Sequence, residues 1–262
     1  MRLDGTMAAD PSRCLSLLRA TGPVLAPGLG TTLTSRQVVP YTTNTAYRVI
    51  LDPEPRKRVL GDAAKATFDR FVEGTERPVT AVRSLADAVS EGHIQLHAAD
   101  EQVQGDLVRA RAGGALPPAG GDFLAVSVTN SAANKLDYYA RRALSYRVRL
   151  GADRTASSSL LVQFENRAPP AGEPSYVVGP YPGASAAGEM VSYVSTFCGE
   201  RCELQRHTRQ GRTATVTSEP ELGHRAFSEF LRACPRAGEP DWATSSPMPM
   251  PGRGTPSRGR TP

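Results

Sequence analysis

Apolar residues recur at helical spacing through the first half of this chain and at every second position through much of the rest, with the switch near residue 125. Helical spacing gives one buried helix stripe, and strict alternation gives a strand with one face in a core and one in water. Asp10 before Pro11 supplies an N-cap carboxylate and a fixed φ for a first helix. Cys14, Leu17, Leu18 and Thr21 share its face, with Cys14 read as core packing, until Gly22 and Pro23 stop it. Val24 and Leu25 leave room for only a very short strand. Thr34 caps a second helix carrying Val38, Val39, Thr42 and Tyr47, which Pro40 bends or shortens by removing a backbone donor.

Asp52 and Pro53 repeat the start signal for the longest predicted helix, whose stripe is Leu60, Ala63, Ala64, Thr67, Phe68 and Phe71 and whose end is Gly74. Val79, Val82, Leu85, Ala86 and Val89 predict another, closed by Gly92. His93 to His97 alternates, so both histidines oppose Ile94 and Leu96, which reads as a polar strand face because no third ligand accompanies them. A short helix around Val103, Leu107 and Val108 precedes a Gly- and Pro-rich loop over 113–121.

The stretch 123–142, FLAVSVTNSAANKLDYYARR, joins the two patterns through an apolar strand, a polar loop and the start of a second strand. Beyond it, Leu144, Tyr146, Val148 and Leu150 alternate with Ser145, Arg147 and Arg149, and after a turn over 151–154 Leu160, Val162 and Phe164 alternate likewise. This is an antiparallel hairpin with its apolar positions in a core and arginines facing Gln and Glu across the strands. A Pro/Gly loop over 168–188 leads to a strand from Val191 to Phe197, then to strands over 204–208 and 213–217 about a turn at Gln210-Gly211, and to the strand-like HRAFSEFL.

The predicted class is α+β: a partial α/β domain over 1–122, the joint over 123–142, an antiparallel β-sandwich domain over 143–231 and a Pro/Arg-rich tail over 232–262. The tail buries too little to offset its chain entropy, so disorder is expected there, with a strand edge of the β domain left open and self-association as its consequence.

Composition narrows the classes. The chain has 262 residues, 39% of them hydrophobic, which suffices for two ordinary domains with cores. Its net charge of +5 comes from scattered arginines with no basic stripe interleaved with aromatics, which argues against a nucleic-acid partner. No apolar run approaches the roughly 18 residues of a membrane-spanning helix, and the first ten residues lack a signal-peptide centre, so the chain by itself reads as soluble and unexported. Cys198 and Cys202 flank three residues in a spacing that suits a local disulfide, with two free thiols as the alternative and metal disfavoured for want of further ligands. Cys234 sits at the start of the tail.

No phosphate-binding glycine loop, nucleophile elbow or helical His-Glu-x-x-His is present, and the acid pairs Glu219/Glu221 and Asp52/Glu54 stand beside prolines in expected loops. No catalytic residue, cofactor or metal ligand is nominated. The one constellation above background is the joint, where Lys135, Arg141 and Arg142 could meet an anion while Asn130 and Asn134 fix the loop. The alternative is that Asp137 pairs with a neighbouring arginine and the Asn side chains satisfy backbone groups of a turn.

At NSAANKLDYYARR the sequence resembles the bacterial family called domain of unknown function 4012, whose members carry Asn-Lys-x-Asp-Tyr-Tyr-x-x-Arg; Asn134, Lys135, Asp137, Tyr138, Tyr139 and Arg142 match it. The resemblance extends over about 2–231 through RLDGTMAADPSRCLSLLRATGPV, TLTSRQVV, GALPPAGGDFLAV and ELGHRAFSEF. It implies an extracytoplasmic protein of the bacterial cell envelope with no established activity. It also implies a longer region before the present start, with a membrane anchor in the full-length form, so that this chain is expected to be an N-terminally truncated member or one with a mis-called start. The α/β part is more distantly similar to LytR-CpsA-Psr envelope proteins, which transfer lipid-linked glycopolymers with arginines and an acidic metal site. TLTSRQVVPY resembles the segment before their arginine-rich region, and Arg56 falls where one of their arginines stands. Two functional expectations result: a non-enzymatic scaffold or binding module, or a degenerate glycopolymer transferase. The partner that the resemblance implies is an envelope glycopolymer or polyprenyl phosphate, with Asn134, Lys135, Asp137, Arg141, Arg142 and Arg56 as candidate binding residues.

Overall fold

The computed structural model describes residues 3–26, 30–74, 78–117, 123–152, 155–169, 172–180, 186–234, 242–246 and 248–250. The chain is α+β and divides into two compact units, Met1–Leu116 and Pro117–Pro262. Residues 123–142, the joint, lie within the second unit.

The first unit runs β1 (Gly5–Ala9), α1 (Pro11–Thr21), β2 (Val24–Ala26), β3 (Thr31–Leu33), α2 (Val38–Pro40), a π-helical turn (Tyr41–Thr45), α3 (Ala46–Val49), α4 (Pro53–Val72), α5 (Pro78–Ser90), β4 (Ile94–Ala98) and α6 (Glu101–Arg109). β1 pairs antiparallel with β4, and β2 with β3. Leu18, Val24, Leu33, Val38 and Ala63 form the core. The local signals hold where the chemistry is local. Asp52 caps α4 by accepting from the Glu54 amide at 3.0 Å, and Gly74 takes a φ of 99° just beyond the helix end. Helical turns run without a break from Val38 to Val49, so Pro40 does not end the second helix: it is the third helical residue, where the missing N–H has no intrahelical partner to lose, and the Thr42 and Thr43 hydroxyls donate to the Val38 and Val39 carbonyls at 2.7 Å.

The helix faces agree with expectation only in part. On α4 the expected Ala63 and Thr67 are buried and Leu60 and Phe71 half-buried, but Ala64 and Phe68 are exposed and Arg56 and Val59 turn inward as well. α5 buries Ala81 and Ala88 and leaves Val79 and Val82 exposed. In both, the face with small side chains turns inward, since α4 lies against β2 and α5 against α1, and small residues permit close approach. The strand β3 went unrecognised in the sequence because three residues carry no period. The side chain of Cys14, the turn residues Asp153 and Arg154 and part of the loop over 113–121 lie outside the described residues.

The second unit holds β5 (Leu124–Asn130), a 3-10 turn (Leu136–Tyr139), β6 (Ala140–Leu150), β7 (Ala156–Asn166), α7 (Ser175–Val178), β8 (Met190–Cys198), β9 (Arg206–Arg209), β10 (Arg212–Thr213), β11 (Thr217–Glu221), β12 (His224–Ala233), β13 (Trp242–Ser246) and β14 (Met248–Met250). One sheet has the order β11-β12-β8-β5; the other runs β10-β9-β13-β7-β14, with β6 paired to β7. Leu160, Val162 and Phe164 of β7 meet Val194 of β8 and Leu231 of β12, with Leu124, Val126 and Val128 of β5 packed on them. Glu219 and Glu221 stand on β11 and not in a loop, because Leu222 and Gly223, both at positive φ, make the turn that returns the chain to β12.

Two expectations for this unit are corrected. The tail was expected to lack order throughout, yet Trp242–Ser246 pairs with β7 and β9, and Met248–Met250 pairs with the start of β7. The segment WATSS has no proline and carries Trp and Thr, which suit a strand, and Pro249 lies in a strand with a single partner, where its missing donor is tolerated. The remainder of the tail lies outside the described residues. The second correction concerns β6, whose Leu144, Tyr146, Val148 and Leu150 were expected in a core and are all exposed. Their cross-strand partners on the same face, Val162, Leu160 and Ser158, are buried. The covering side chains therefore reach β7 and stop, leaving β6 one strand too far out.

Cys198 and Cys202 form a disulfide with Cα atoms 6.0 Å apart, buried against Phe227, while Cys234 is an exposed free thiol. Because the bridge closes a very short loop, replacing both cysteines by serine should cost only about 2 kcal/mol in the chain-entropy account. Urea unfolding of the double variant measures this, and a loss above about 4 kcal/mol would mean that the bridge organises more than its own loop.

Candidate binding site

The joint is assembled by three consecutive pieces of chain. β5 ends at Asn130, a loop with Ala133 at positive φ reverses direction, and the 3-10 turn delivers Asp137, Tyr138 and Tyr139 to the start of β6. Leu136, fully buried, anchors the turn among Ala168, Met190 and Ala233. Asn130 is the hub: its Oδ1 accepts from the Ala132 amide at 2.9 Å, and its Nδ2 donates to the Asn134 carbonyl and Oδ1 at 3.1 Å and to Asp137 Oδ2 at 2.6 Å. Asn134, buried, donates to the Glu189 carbonyl at 3.2 Å and accepts from the Leu136 amide at 3.3 Å.

The structure brings Asn134, Lys135, Asp137, Arg141 and Arg142 into one short segment but does not aim them at one point. Arg142 pairs with Asp137. Lys135 Nζ lies over the Tyr176 ring, 6.0 Å from its centroid. Arg141 faces outward beside Glu165, its cross-strand partner. Arg167, 2.7 Å from Glu165, holds that carboxyl below its usual range, and Arg141 adds to the effect. Arrangements of this kind fix a turn: each Asn satisfies backbone groups, and the Asp charge is shared between an amide and a guanidinium.

Arg56 is elsewhere, in the first unit. It is 2% exposed, its Nη1 donates to the Ile50 carbonyl at 2.8 Å and the Leu51 carbonyl at 3.1 Å, and its guanidinium stacks over Tyr47 at 5.0 Å. It closes the end of α3, and no solvent-facing guanidinium is left to receive a phosphate.

One charged cluster had no signal in the sequence. Glu229 on β12 accepts from Arg209 Nε at 3.1 Å, and His207 Nε2 stands 3.1 Å from its other oxygen, at ion-pair distance but off the line of a hydrogen bond. Burial pushes the Glu229 carboxyl up, but His207 and Arg209 outweigh it and the net shift is downward from the ordinary 4.5. A lowered folded-state pKa contributes stability above about pH 4.5 that is lost as pH falls through the folded value. Glu229→Gln is therefore expected to flatten the acid side of a melting-temperature profile between pH 5 and 3, and a profile with the wild-type slope would contradict the assignment. The residues are far apart in sequence, on strands of different sheets, so only the packing of the sheets could reveal them.

Among the described residues no group of three or more His, Cys, Asp or Glu could hold a metal ion, and no helix is long and apolar enough to cross a membrane. No protein-family model, curated protein or solved structure matches the chain. A feature suited to recognition is the exposed face of β6, which continues directly from the joint.

Proposed function

We propose that this chain is a non-enzymatic scaffold or binding module of a bacterial cell envelope, related to the domain of unknown function 4012 proteins. Its second unit is read as a β-sandwich and its first as a LytR-CpsA-Psr-like domain. The observation that carries the binding reading is β6, where Leu144, Tyr146 and Val148 occupy core-facing register positions yet remain uncovered. Contiguous exposed apolar side chains of this kind mark interaction sites in soluble domains. The joint supports it by holding the start of β6 rigidly through Asn130, Asp137 and Arg142. The transferase alternative needs Arg56 for a phosphate, and the burial of Arg56 favours the module.

The test is cosedimentation of the purified chain with envelope fractions, both membranes and peptidoglycan with its attached glycopolymer. Wild type should sediment with one of them. Leu144→Ser, Tyr146→Ser and Val148→Ser combined should abolish this while costing about 1 kcal/mol of stability or less, since exposed substitutions are individually small. Wild type remaining in the supernatant, or the triple variant sedimenting normally, would overturn the reading.

A further inference from the structure

We propose that β6 is an edge for strand addition, accepting an extended partner segment in which acidic residues alternate with apolar ones. The proposal rests on the binding-module reading and specifies the partner. Eleven residues of β6 pair in continuous register with β7, and among the described residues no strand pairs with its other edge. No proline or glycine interrupts it. A strand of this length with one free edge offers a row of backbone donors and acceptors to an added strand.

The side chains define what kind of strand fits. Toward the core-facing side stand Leu144, Tyr146 and Val148, exposed to 58%, 37% and 42%. An apolar residue at every second partner position would extend the apolar surface begun by Leu160 and Val162 of β7. On the opposite face stand Arg141, Arg147 and Arg149. Across from Arg147 and Arg149 on β7 are Ser159 and Ser157, which offer no charge, and no carboxylate of the described residues pairs with either arginine. Carboxylates at the intervening partner positions would lie beside them, and opposite-charge neighbours across strands are favourable.

The same charges disfavour a second copy. Antiparallel pairing of β6 with itself over its full length sets Arg141 opposite Arg149 at both ends, and like charges directly opposed are destabilising. The acidic strand β11 of another copy is only five residues long and carries Pro220, which removes a donor. A separate acidic segment meets neither obstacle.

The experiment titrates the full chain with a fluorescent eleven-residue peptide alternating Glu and Val, with a Lys/Val peptide as control, and follows backbone hydrogen exchange. The Glu/Val peptide should bind, slow exchange along β6 and weaken in high salt. The variant R147E/R149E should lose roughly tenfold or more in affinity for it and gain affinity for the Lys/Val peptide. Both positions are exposed, so the variant should keep the wild-type melting curve, which is recorded alongside. No binding of the Glu/Val peptide, equal binding of both peptides, protection confined to other strands, or unchanged affinity of the folded variant would each overturn strand addition. So would sedimentation equilibrium showing that β6 is already covered by a second copy. Envelope cosedimentation on the same preparations separates the two levels. If it survives in R147E/R149E while the Glu/Val peptide fails to bind wild type, strand addition falls and the module stands. If it also survives the triple serine substitution of β6, the module reading falls as well.

Discussion

Asn166→Ala is expected to destabilise the second unit by about 3 kcal/mol, the cost of leaving several buried backbone groups without partners. The Asn166 side chain is 6% exposed and joins three segments through one amide. Its Nδ2 donates to the carbonyls of Gly188 and Ala233, each at 2.8 Å, and its Oδ1 accepts from the Ala168 amide at 3.0 Å. Ala233 is the last residue of β12 and Gly188 lies just before β8, so this amide ties β7 of one sheet to the ends of two strands of the other. Asn166→Asp should be at least as damaging, because an oxygen would replace the donor that faces two carbonyls. Guanidinium unfolding of the full chain, followed by fluorescence and by hydrogen exchange along β8 and β12, reads the effect. A loss below about 1 kcal/mol in both variants would mean that water replaces the amide, and that the two sheets do not depend on it.

The second large effect is expected at Arg56, with a loss of about 3 kcal/mol on Arg56→Ala. Hydrogen bonds from a charged donor contribute more than neutral ones, and here one buried nitrogen serves both Ile50 and Leu51. Truncation also empties the space beneath the guanidinium that stacks on Tyr47. Arg56→Lys should recover only part of this, since an ammonium lacks the planar fork that fits the carbonyls and the ring together. The two functional expectations diverge at this residue. A phosphate-binding arginine would lose polyprenyl phosphate on substitution with the melting temperature unchanged; a helix-closing arginine loses the fold of the first unit. An unchanged melting curve with lost phosphate binding would restore the transferase reading.

The sequence was a good guide wherever the deciding contact lies within a few residues. Asp52 caps α4 from the position before Pro53, and Gly92 follows α5 at positive φ. The alternation through β6 and β7 gives the hairpin in register, and the spacing of Cys198 and Cys202 suits the bridge they form. In the joint, the reading in which Asp137 pairs with an arginine and Asn130 and Asn134 satisfy a turn is the one the structure adopts, because all those partners lie between Asn130 and Arg142 apart from the carbonyl of Glu189.

Periodicity alone could not choose between competing faces. Within the one stripe expected on α4, Ala63 and Thr67 turn fully inward while Phe68 is exposed, because β2 comes close enough to favour small side chains. On β6 the alternation is as regular as on β7, and hydrophobicity assigns both to a core; burial follows only for β7, whose Leu160, Val162 and Phe164 meet Val194 and Leu231 of the other sheet. Glu229 and His207 meet although β12 and β9 belong to different sheets, a juxtaposition with no trace along the chain. The tail as a whole buries too little to order by itself, and its residues 242–246 gain a strand's hydrogen bonds because β7 and β9 stand beside them. Caps, turns, strand alternation and the short cysteine loop were thus determined by the sequence itself, since their energies arise between near neighbours. Which apolar faces are covered, and which strand is left open at the edge, was decided by tertiary structure, because burial depends on what lies opposite.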